Sequence, residues 1–494
     1  ILEDRCTYAI FIDLKKAYDR VSHQALLWRL RKHGVPDNVV SFFRKLYKTS
    51  SFTVKGAFGM SEEASLDRGV RQGCSSSPVL FDIFINDILE GIPGVRVIGG
   101  HRVPGLMFAD DLVVLASTRS TVQKVLERIG AWCDHWEMSL GHDKCGIMVF
   151  GPEEKRQKSK AALLSQEWTA QAGVIPVVDE YLYLGTLFTE DLSLTAMAEH
   201  RAALAMKKFQ AAKHVLRSHT IPADTRAMIF KGVILPTALY GAELWGMHQQ
   251  RCAKGESLCK MAIRAIMGSS QVALSAARDQ LVIPPFEAMA AARKARALLK
   301  FPTLKTWVAE LMKGHSADLI SHPAGSYPKH DSGRLSWVNQ AVSWMRGRFG
   351  VGKDALLALV GNDPEGRQAY QQVLDCVWQR NRAKDKTKAL RLFSMRGLAN
   401  GAGWMRCWAQ WPKWHVGWRA LLQMRNGAFL TANRLRSMGL LRRVRGDGVV
   451  ERAGNSCPFC HRRGRGETLR HLLLECGSWV AERAKFLGEP LLDA

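Results

Sequence analysis

Two adjacent carboxylates interrupt an apolar stretch of the chain, and this pair constrains the fold more than any other feature of the sequence. Asp110 and Asp111 lie inside GLMFADDLVVLA, between two apolar runs that predict short strands. Neighbouring carboxylates repel each other, and burying them among apolar residues costs desolvation energy. The segment therefore predicts two strands joined at the pair, with either a cation bound there or an Asp-Asp turn that holds no metal.

A third carboxylate ends another predicted strand. TYAIFID is a short apolar run rich in β-branched and aromatic residues, and it ends at Asp13. Hard divalent cations such as Mg²⁺ prefer oxygen ligands. Two such ions about 4 Å apart can hold the attacking and leaving oxygens of a phosphoryl transfer. Asp13 facing the Asp110–Asp111 pair would form such a site; the alternative is a carboxylate that only caps a strand end.

Helical patterns separate these strands. Ser22 predicts the N-cap of one helix, and Ser77-Pro78 predicts the N-cap and first residue of a second helix that ends at Gly91. A third helix is predicted from about Thr121 to Trp136, before the strand CGIMVF. The alternation predicts an α+β fold in which helices back a sheet.

The pattern changes after residue 150. The polar segment 151–160 predicts a loop, and YLYLGTLF (181–188) predicts a pair of strands. Residues from about 192 to 300 are Ala-rich with helical periodicity. From 300 to 450 helical segments alternate with many Trp, Lys and Arg residues but contain no motif.

Charge indicates the class of partner. The 494 residues include 70 Lys plus Arg against 45 Asp plus Glu, a net charge of +25. This excess predicts a polyanionic partner, most simply nucleic acid. Eleven Cys are too few for a disulfide scaffold and favour a reducing compartment. No apolar run approaches the roughly 18 residues of a membrane span, so no membrane partner is predicted.

Four residues near the C-terminus have the spacing of a zinc site. Cys457, Cys460, His471 and Cys476 give the pattern C-x₂-C-x₁₀-H-x₄-C. Thiolate and imidazole ligands in two pairs can close a tetrahedral structural Zn²⁺ site. Loss of the ion would then unfold only this module. The alternative is a basic tail in which these Cys and His residues are unrelated.

The order of the segments resembles that of a reverse transcriptase, specifically that of non-LTR (LINE-type) retrotransposons. The blocks that resemble motifs A, B, C and D are FIDLKKAYDRV, RGVRQGCSSSPVLFDIFINDI, MFADDLVV and WEMSLGHDKCGIMVF. YLGTLF resembles the primer-grip block, and LPTALYGAELWG a segment of the thumb region. The resemblance covers about residues 5–247, and the Cys/His pattern resembles the CCHC knuckle that follows many such polymerases.

The resemblance implies a set of catalytic residues. Asp13, Asp110 and Asp111 would bind two Mg²⁺ ions. Lys144 would donate a proton to the departing pyrophosphate or neutralise its charge; the alternative is a surface lysine at a strand edge.

The resemblance also implies four nucleotide-binding residues. Tyr18 would place a ring under the nucleotide sugar and exclude a 2′-hydroxyl, the alternative being a core aromatic. Gln72 would hydrogen-bond near the incoming nucleotide, and Gly73 would allow the chain close to the base or template. Arg71 would assist them, or it is a solvated loop charge. Three serines follow Cys74, where the family commonly has Pro-Leu.

The implied architecture is a right-hand polymerase palm followed by helical regions. Its four parts are a palm with partial fingers (1–190), a helical thumb-like region (191–300), a basic Trp-rich helical region (301–450) and a CCHC zinc knuckle (451–494). Family members place fingers segments before motif A, whereas only twelve residues precede Asp13. We therefore expect a truncated polymerase, for which weak or absent activity on its own is one of the expected outcomes.

The function implied is RNA-directed DNA synthesis by target-primed reverse transcription. The partners would be template RNA, target or primer DNA and dNTPs. The site of action would be the nucleus, with a cytoplasmic ribonucleoprotein stage. Two alternatives remain: a non-catalytic nucleic-acid-binding remnant of such an element, and a group II intron-type maturase.

Overall fold

Strands and helices alternate along the part of the chain that the computed structural model describes. This part comprises residues 5–97, 102–270, 272–305, 309, 337–349, 367–384, 442–444, 450–452, 460, 471 and 476–481. Its strands are β1 (Thr7–Asp13), β2 (Ser51–Phe52), β3 (Lys55–Gly56), β4 (Gly59–Met60), β5 (Ala64–Ser65), β6 (Val95–Arg96), β7 (Arg102–Val103), β8 (Gly105–Phe108), β9 (Asp111–Ala116), β10 (Gly146–Phe150), β11 (Thr169–Ala170), β12 (Gly173–Val174), β13 (Glu180–Tyr183), β14 (Thr186–Thr189), β15 (Arg442–Val444) and β16 (Val450–Arg452). Its helices are α1 (Ala17–Arg20), α2 (His23–Lys32), α3 (Asp37–Lys48), α4 (Ser77–Ile85), α5 (Arg119–His135), α6 (Glu153–Leu164), α7 (Leu194–Arg217), α8 (Ala223–Ile229), α9 (Leu235–Ala238), α10 (Ala242–Trp245), α11 (Gln249–Met267), α12 (Leu274–Leu281), α13 (Phe286–Lys300), α14 (Trp337–Phe349) and α15 (Arg367–Lys384).

A four-stranded antiparallel sheet contains the strands of the segments that resemble motifs A, C and D. Its strand order is β10-β1-β9-β8. The predicted strand TYAIFID is confirmed as β1, which pairs with β9 so that Asp13 lies opposite Asp111. Strands β8 and β9 form a hairpin in which Phe108 pairs with Asp111, so Ala109 and Asp110 make the turn.

Both faces of this sheet are covered, as the alternation of β1 requires. Ile10 and Ile12 are buried in the larger hydrophobic cluster, with Phe84 of α4 and Ile129 of α5. The intervening residues face the other side, where the second cluster contains Ala9, Phe11, Val113, Met148 and Tyr183. Tyr183 belongs to the β13–β14 hairpin, so the predicted strand pair over 181–188 is confirmed and covers the second face.

Two sequence predictions about helices need correction. The polar segment 151–160 is not a loop, because α6 begins at Glu153. Within the segment the buried side chain is charged: Arg156 is 4% exposed and pairs with Glu153 and Glu190. The buried apolar residue of the helix, Leu163, lies beyond the segment. Helix α4 begins at Ser77 with Ser76 as its N-cap and ends at Ile85, well before Gly91.

An ion pair between Arg29 and Asp87 joins α2 to the residues just after α4. Arg29 is 1% exposed and donates to both carboxylate oxygens of Asp87. Trp132 Nε1 donates to Asp87 Oδ1 at 2.8 Å, and the guanidinium of Arg29 lies 4.1 Å from the ring centroid of Trp136. Burial raises the pKa of Asp87, but hydrogen bonds from Arg29 and Trp132 and the Arg29 charge outweigh it and hold the pKa below its ordinary value.

The chain divides into two compact units. The first consists of Ile1–His200, Glu243–Met247 and Lys294–Arg367, and the second of Arg201–Ala242, His248–Arg293 and Gln368–Ala494. The helical prediction for residues 192–300 is confirmed by α7 to α13. Among the helices that the structure describes, none combines the length and apolarity needed to cross a lipid bilayer. The four-part division of the chain stays a prediction.

Candidate active site

Three carboxylates converge at one end of the four-stranded sheet. Asp13 is the last residue of β1 and Asp111 the first of β9, and the two are directly paired. Cβ atoms of such cross-strand partners lie roughly 4.5–5.5 Å apart. Asp110 completes the group from the adjoining turn, where Ala109 has a φ of +51°.

The electrostatics of this group favour a bound cation. Burial raises the pKa of Asp13, and the charges of Asp110 and Asp143 raise it further, although Lys144 lowers it. Burial also raises the pKa of Asp111, followed by the charges of Asp110 and Asp13, again opposed by Lys144. The site therefore resists carrying its full negative charge alone. Carboxylate oxygens are the donors that a hard divalent cation prefers, so the residues fit Mg²⁺.

A five-residue bulge, residues 141–145, fixes the backbone of Asp13. Pairing between β1 and β10 ends at Phe11 and Gly146, and Leu14 bridges to Leu140. Between them, the carbonyl oxygen of Asp13 accepts a hydrogen bond from the Gly141 N–H at 2.8 Å. The N–H of Asp13 donates to Cys145 Sγ at 3.4 Å. Asp13 is thus held through both of its backbone polar groups.

The same bulge brings two residues to the Asp13 carboxylate. Lys144 Nζ lies 3.9 Å from Asp13 Oδ2 and remains 68% exposed. A Cβ atom at Gly141 would lie only 2.6 Å from Asp13 Oδ2. Residue 141 must therefore lack a side chain for the carboxylate to keep this orientation. Gly141 is not predicted from the sequence, since nothing in the local pattern reveals the contact with β1.

Two tyrosines of the β13–β14 hairpin, on the second face of the sheet, donate hydrogen bonds to the backbone of the site. Tyr183 donates from its hydroxyl to the carbonyl oxygen of Asp111 at 3.3 Å. Tyr181 stacks on Phe11 with ring centroids 4.0 Å apart and donates to the carbonyl oxygen of Lys144 at 2.5 Å. Burial raises the pKa of Tyr183 to about 12, so its hydroxyl keeps the proton it donates. From the sequence, both residues belong to the predicted strand pair, and Tyr183 also begins the block that resembles a primer grip, but neither hydrogen bond is predicted.

Tyr18 lies between α4 and the carboxylates. Its ring stacks on Phe81 with centroids 4.5 Å apart, and the side chain is half-buried. Burial raises the pKa of Tyr18, and the charges of Asp110 and Asp82 raise it further. The ring therefore has a fixed support on its core side and lies within electrostatic reach of Asp110.

The segment Arg71–Gly73 runs beside α1. Gln72 Nε2 donates to Asp19 Oδ1 at 2.8 Å, next to Tyr18 in the chain. Arg71 instead donates to Ser50 Oγ at 2.9 Å, just after α3. Gly73 has a φ of +83° and open space where a Cβ would lie. All three residues are exposed.

Three of the four predicted zinc ligands are close together. The ligand atoms of Cys460, His471 and Cys476 all lie within 4.8 Å of one another. Cys460 Sγ is 3.3 Å from His471 Nε2, and both His471 and Cys476 are buried. Two thiolates and an imidazole are suitable zinc ligands. Cys457, the predicted fourth ligand, lies outside the described residues.

Known proteins are similar to the part of the chain that contains the three carboxylates. A family model described as "Reverse transcriptase (RNA-dependent DNA polymerase)" matches residues 2–188. The Pol polyprotein of the R2DM retrotransposable element of Drosophila melanogaster is 31% identical over 191 residues, which are 37% of this chain and 18% of that protein. That of the R2 element of Nasonia vitripennis is 29% identical over 185 residues, with the same two shares.

Two further comparisons complete this set. The RNA-directed DNA polymerase of the mobile element jockey of Drosophila melanogaster is 22% identical over 249 residues, which are 49% of this chain and 26% of that protein. Among solved structures, telomerase from Candida albicans matches 74% of this chain and 50% of its own, at 11% identity and a TM-score of 0.31, which is too low to support an argument. The chain thus spans about a fifth to a quarter of the length of these retroelement proteins.

Proposed function

We propose that this chain, which carries a reverse transcriptase domain over residues 2–188, is the RNA-directed DNA polymerase of a non-LTR retrotransposon. The observation that carries the proposal is the pairing of Asp13 with Asp111, beside Asp110, at one end of the sheet. The reaction would extend a DNA 3′-hydroxyl on an RNA template with dNTPs and release pyrophosphate. The likeness to polymerases of R2 and jockey elements supports this class of element.

The carboxylates and the bulge have distinct roles in this reaction. Mg²⁺ ions held by Asp13, Asp110 and Asp111 would supply positive charge to the attacking and leaving oxygens. Gly141 and Cys145 hold the Asp13 backbone, and thereby its carboxylate, in place. Lys144, exposed at the edge of the site, would give its proton or its charge to the departing pyrophosphate.

The proposal extends to the partners and place of action. A net charge of +25 suits contact with both template RNA and target DNA. Target-primed synthesis uses a nicked chromosomal end as primer, so the site of action would be the nucleus, after a cytoplasmic ribonucleoprotein stage.

Primer extension tests the function directly. The full chain, with Mg²⁺ and dNTPs, is expected to extend a DNA primer annealed to RNA and to stop when EDTA removes the metal. A chain that binds the primed RNA in a salt-sensitive gel shift, yet extends no primer, would contradict the polymerase and support the binding remnant.

Selection against ribonucleotides is expected to depend on the ring of Tyr18. Tyr18→Ala removes the ring that Phe81 supports, and we expect incorporation of rNTPs relative to dNTPs to rise about tenfold to a hundredfold, the range for one steric contact in a pocket. Tyr18→Phe keeps the ring and should keep the selectivity. The ratio is measured by competing rNTPs against dNTPs on one primed template, and equal ratios in all three proteins would exclude this role.

Gly141→Ala is expected to lower the rate of nucleotide addition about a hundredfold, since displacing a reacting group by about 1 Å can cost that much. The added Cβ would meet Asp13 Oδ2 and turn the carboxylate away. The matched control is Gly56→Ala, whose Cβ would have only ordinary contact, 3.7 Å from the Gly59 oxygen. Single-nucleotide incorporation at saturating dNTP measures both, and an unchanged Gly141→Ala rate would contradict the contact.

We further propose that Cys460, His471 and Cys476 bind zinc together with Cys457. Purified protein is expected to contain about one zinc ion per chain by mass spectrometry of the metal. Cys476→Ser should lose the ion and weaken RNA binding, while extension of a short primer–template persists. Cys376→Ser, an exposed cysteine of α15, is the control and should retain the metal. Equal zinc content in both variants would count against the site.

A further inference from the structure

We propose that Gln171, at the turn of the hairpin formed by β11 and β12 (the 169–174 hairpin), is a positioning residue that sets Lys144 and the Asp13 carboxylate relative to each other. It acts through the 141–145 bulge. The proposal rests on the polymerase function proposed above. Gln171 belongs to none of the segments that carry the family resemblance, and its effect follows from the contacts of its side chain.

The Gln171 amide replaces the backbone partners that the segment before the bulge lacks. Its Oε1 accepts a hydrogen bond from the Leu140 N–H at 2.9 Å. Its Nε2 donates to the Met138 carbonyl oxygen at 3.2 Å and to Asp134 Oδ1 at 2.7 Å. Residues 138–140 are therefore held on the side away from β1, while Ser139 accepts from the Lys15 N–H at 2.8 Å on the other side.

The backbone of Gln171 has the left-handed conformation that a two-residue hairpin turn requires at its first position. Gln171 has a φ of +49°, in the left-handed region that favours glycine. Any residue with a side chain is strained there, and such strain persists only where the surroundings over-determine it. The hairpin turn imposes this conformation, and it places the amide where it makes its three hydrogen bonds.

Two glycines bring the hairpin into close contact with its neighbours. A Cβ at Gly130 of α5 would lie 3.1 Å from the backbone nitrogen of Gln171. A Cβ at Gly173 would lie 2.5 Å from His142 Nε2 and would overlap the ring. His142 is part of the bulge, and its Nε2 lies 2.9 Å from the Ala170 carbonyl oxygen. The hairpin thus contacts the bulge through His142, and it contacts the segment just before the bulge through Gln171.

The bulge is therefore clamped between the 169–174 hairpin and β1. Its inner side carries Gly141, in contact with Asp13, and Lys144, at 3.9 Å from Asp13 Oδ2. A shift of the bulge would therefore change the position of the Lys144 backbone and of Gly141 relative to the Asp13 carboxylate. Releasing the outer side should change the relation between the two groups and leave their chemistry unchanged.

The kinetic test uses Gln171→Met, which keeps the length of the side chain and removes its hydrogen bonds. We expect the maximal rate of single-nucleotide incorporation, per titrated active site, to fall about tenfold to a hundredfold, with KM for dNTP little changed. The control is Gln157→Met on α6, where the amide donates to Glu153 at 2.9 Å. An unchanged maximal rate in Gln171→Met would overturn the proposal.

A double-mutant cycle with Lys144→Met separates positioning from a general structural effect. If Gln171 acts through the bulge, Gln171→Met should lower the rate by much less in the Lys144→Met protein than in the wild type, because residues that act as a unit are non-additive. An equal factor in both backgrounds would overturn the proposal.

Hydrogen exchange tests the contacts without any need for activity. In Gln171→Met the amides of residues 138–145 should exchange faster, while those of β9 and the control Gln157→Met remain as in the wild type. No local change would overturn the proposal. If the wild type extends no primer yet this exchange responds, the polymerase function fails and the clamp on the bulge is retained.

Discussion

Asp110→Asn is expected to lower primer extension at least about a thousandfold, and the protein should still fold. The substitution keeps the size of the side chain and removes a charge that acts on both Asp13 and Asp111. Loss of one anionic metal ligand removes several kcal/mol of transition-state stabilisation. At about 1.4 kcal/mol per factor of ten, this gives the expected loss. Single-turnover extension on primed RNA measures it.

The control for this loss is Asp37→Asn, a 91% exposed carboxylate at the start of α3. Its rate should remain that of the wild type. If Asp110→Asn retained a tenth or more of the wild-type rate, the three carboxylates would not be the metal-binding centre of the reaction.

Asp110→Asn should lower activity but raise the stability of the metal-free protein. Asp13 and Asp111 have raised pKa values, so the folded metal-free chain binds their protons more tightly than the unfolded chain does. Their contribution to stability is full below the unfolded value near 3.9 and is lost as pH rises through the folded pKa. At pH 7 without metal, Asp110→Asn should therefore raise Tm. Added Mg²⁺ should raise Tm more in the wild type than in the variant.

The second large effect is expected at the buried ion pair. Arg29→Met should lower the free energy of unfolding by about 3 kcal/mol, because it leaves the Asp87 carboxylate, which is only 17% exposed, without its charge partner. Urea unfolding at pH 7 measures the change. Arg31→Met is the matched control two residues away; this arginine is half-exposed and pairs with Asp37 at 3.8 Å. Its loss should cost less than about 1 kcal/mol.

The difference in unfolding free energy between the wild type and Arg29→Met should depend on pH. The pKa of Asp87 is lowered in the fold, so the pair stabilises above the unfolded value near 3.9, and this stability is lost as pH falls through the folded pKa. The gap between wild type and Arg29→Met should accordingly narrow in acid. Replacing both partners with apolar residues should restore most of the stability. Equal unfolding free energies for the wild type and Arg29→Met at pH 7 would show that the pair contributes nothing.

The sequence revealed the site residues whose charge contrasts with the apolar residues next to them in the chain. Asp110 and Asp111 stand out because charge sits within an apolar run, and Asp13 because it ends one. The reverse transcriptase resemblance drawn from these segments is confirmed by the family match over residues 2–188. The roles of the individual site residues stay predictions.

What the sequence did not reveal depends on partners far along the chain. Gly141 matters because of Asp13, which lies 128 positions earlier. The first part of helix α6 looks like a polar loop because its buried residue, Arg156, pairs with Glu190 outside the segment, while the buried Leu163 comes after it. Local periodicity cannot indicate such a contact, since it records only how residues within one element share a face.

The two tyrosine hydroxyls of the β13–β14 hairpin limit how this chain can be recombined with its relatives. One hydroxyl binds the backbone of Asp111 and the other that of Lys144, so a single hairpin is attached to both segments that line the site. A chimera joined between residues 150 and 180 would combine a sheet from one parent with a hairpin fitted to another. Exchanges that end after Thr189 keep these contacts within one parent, and functional modules of this chain should therefore be cut there.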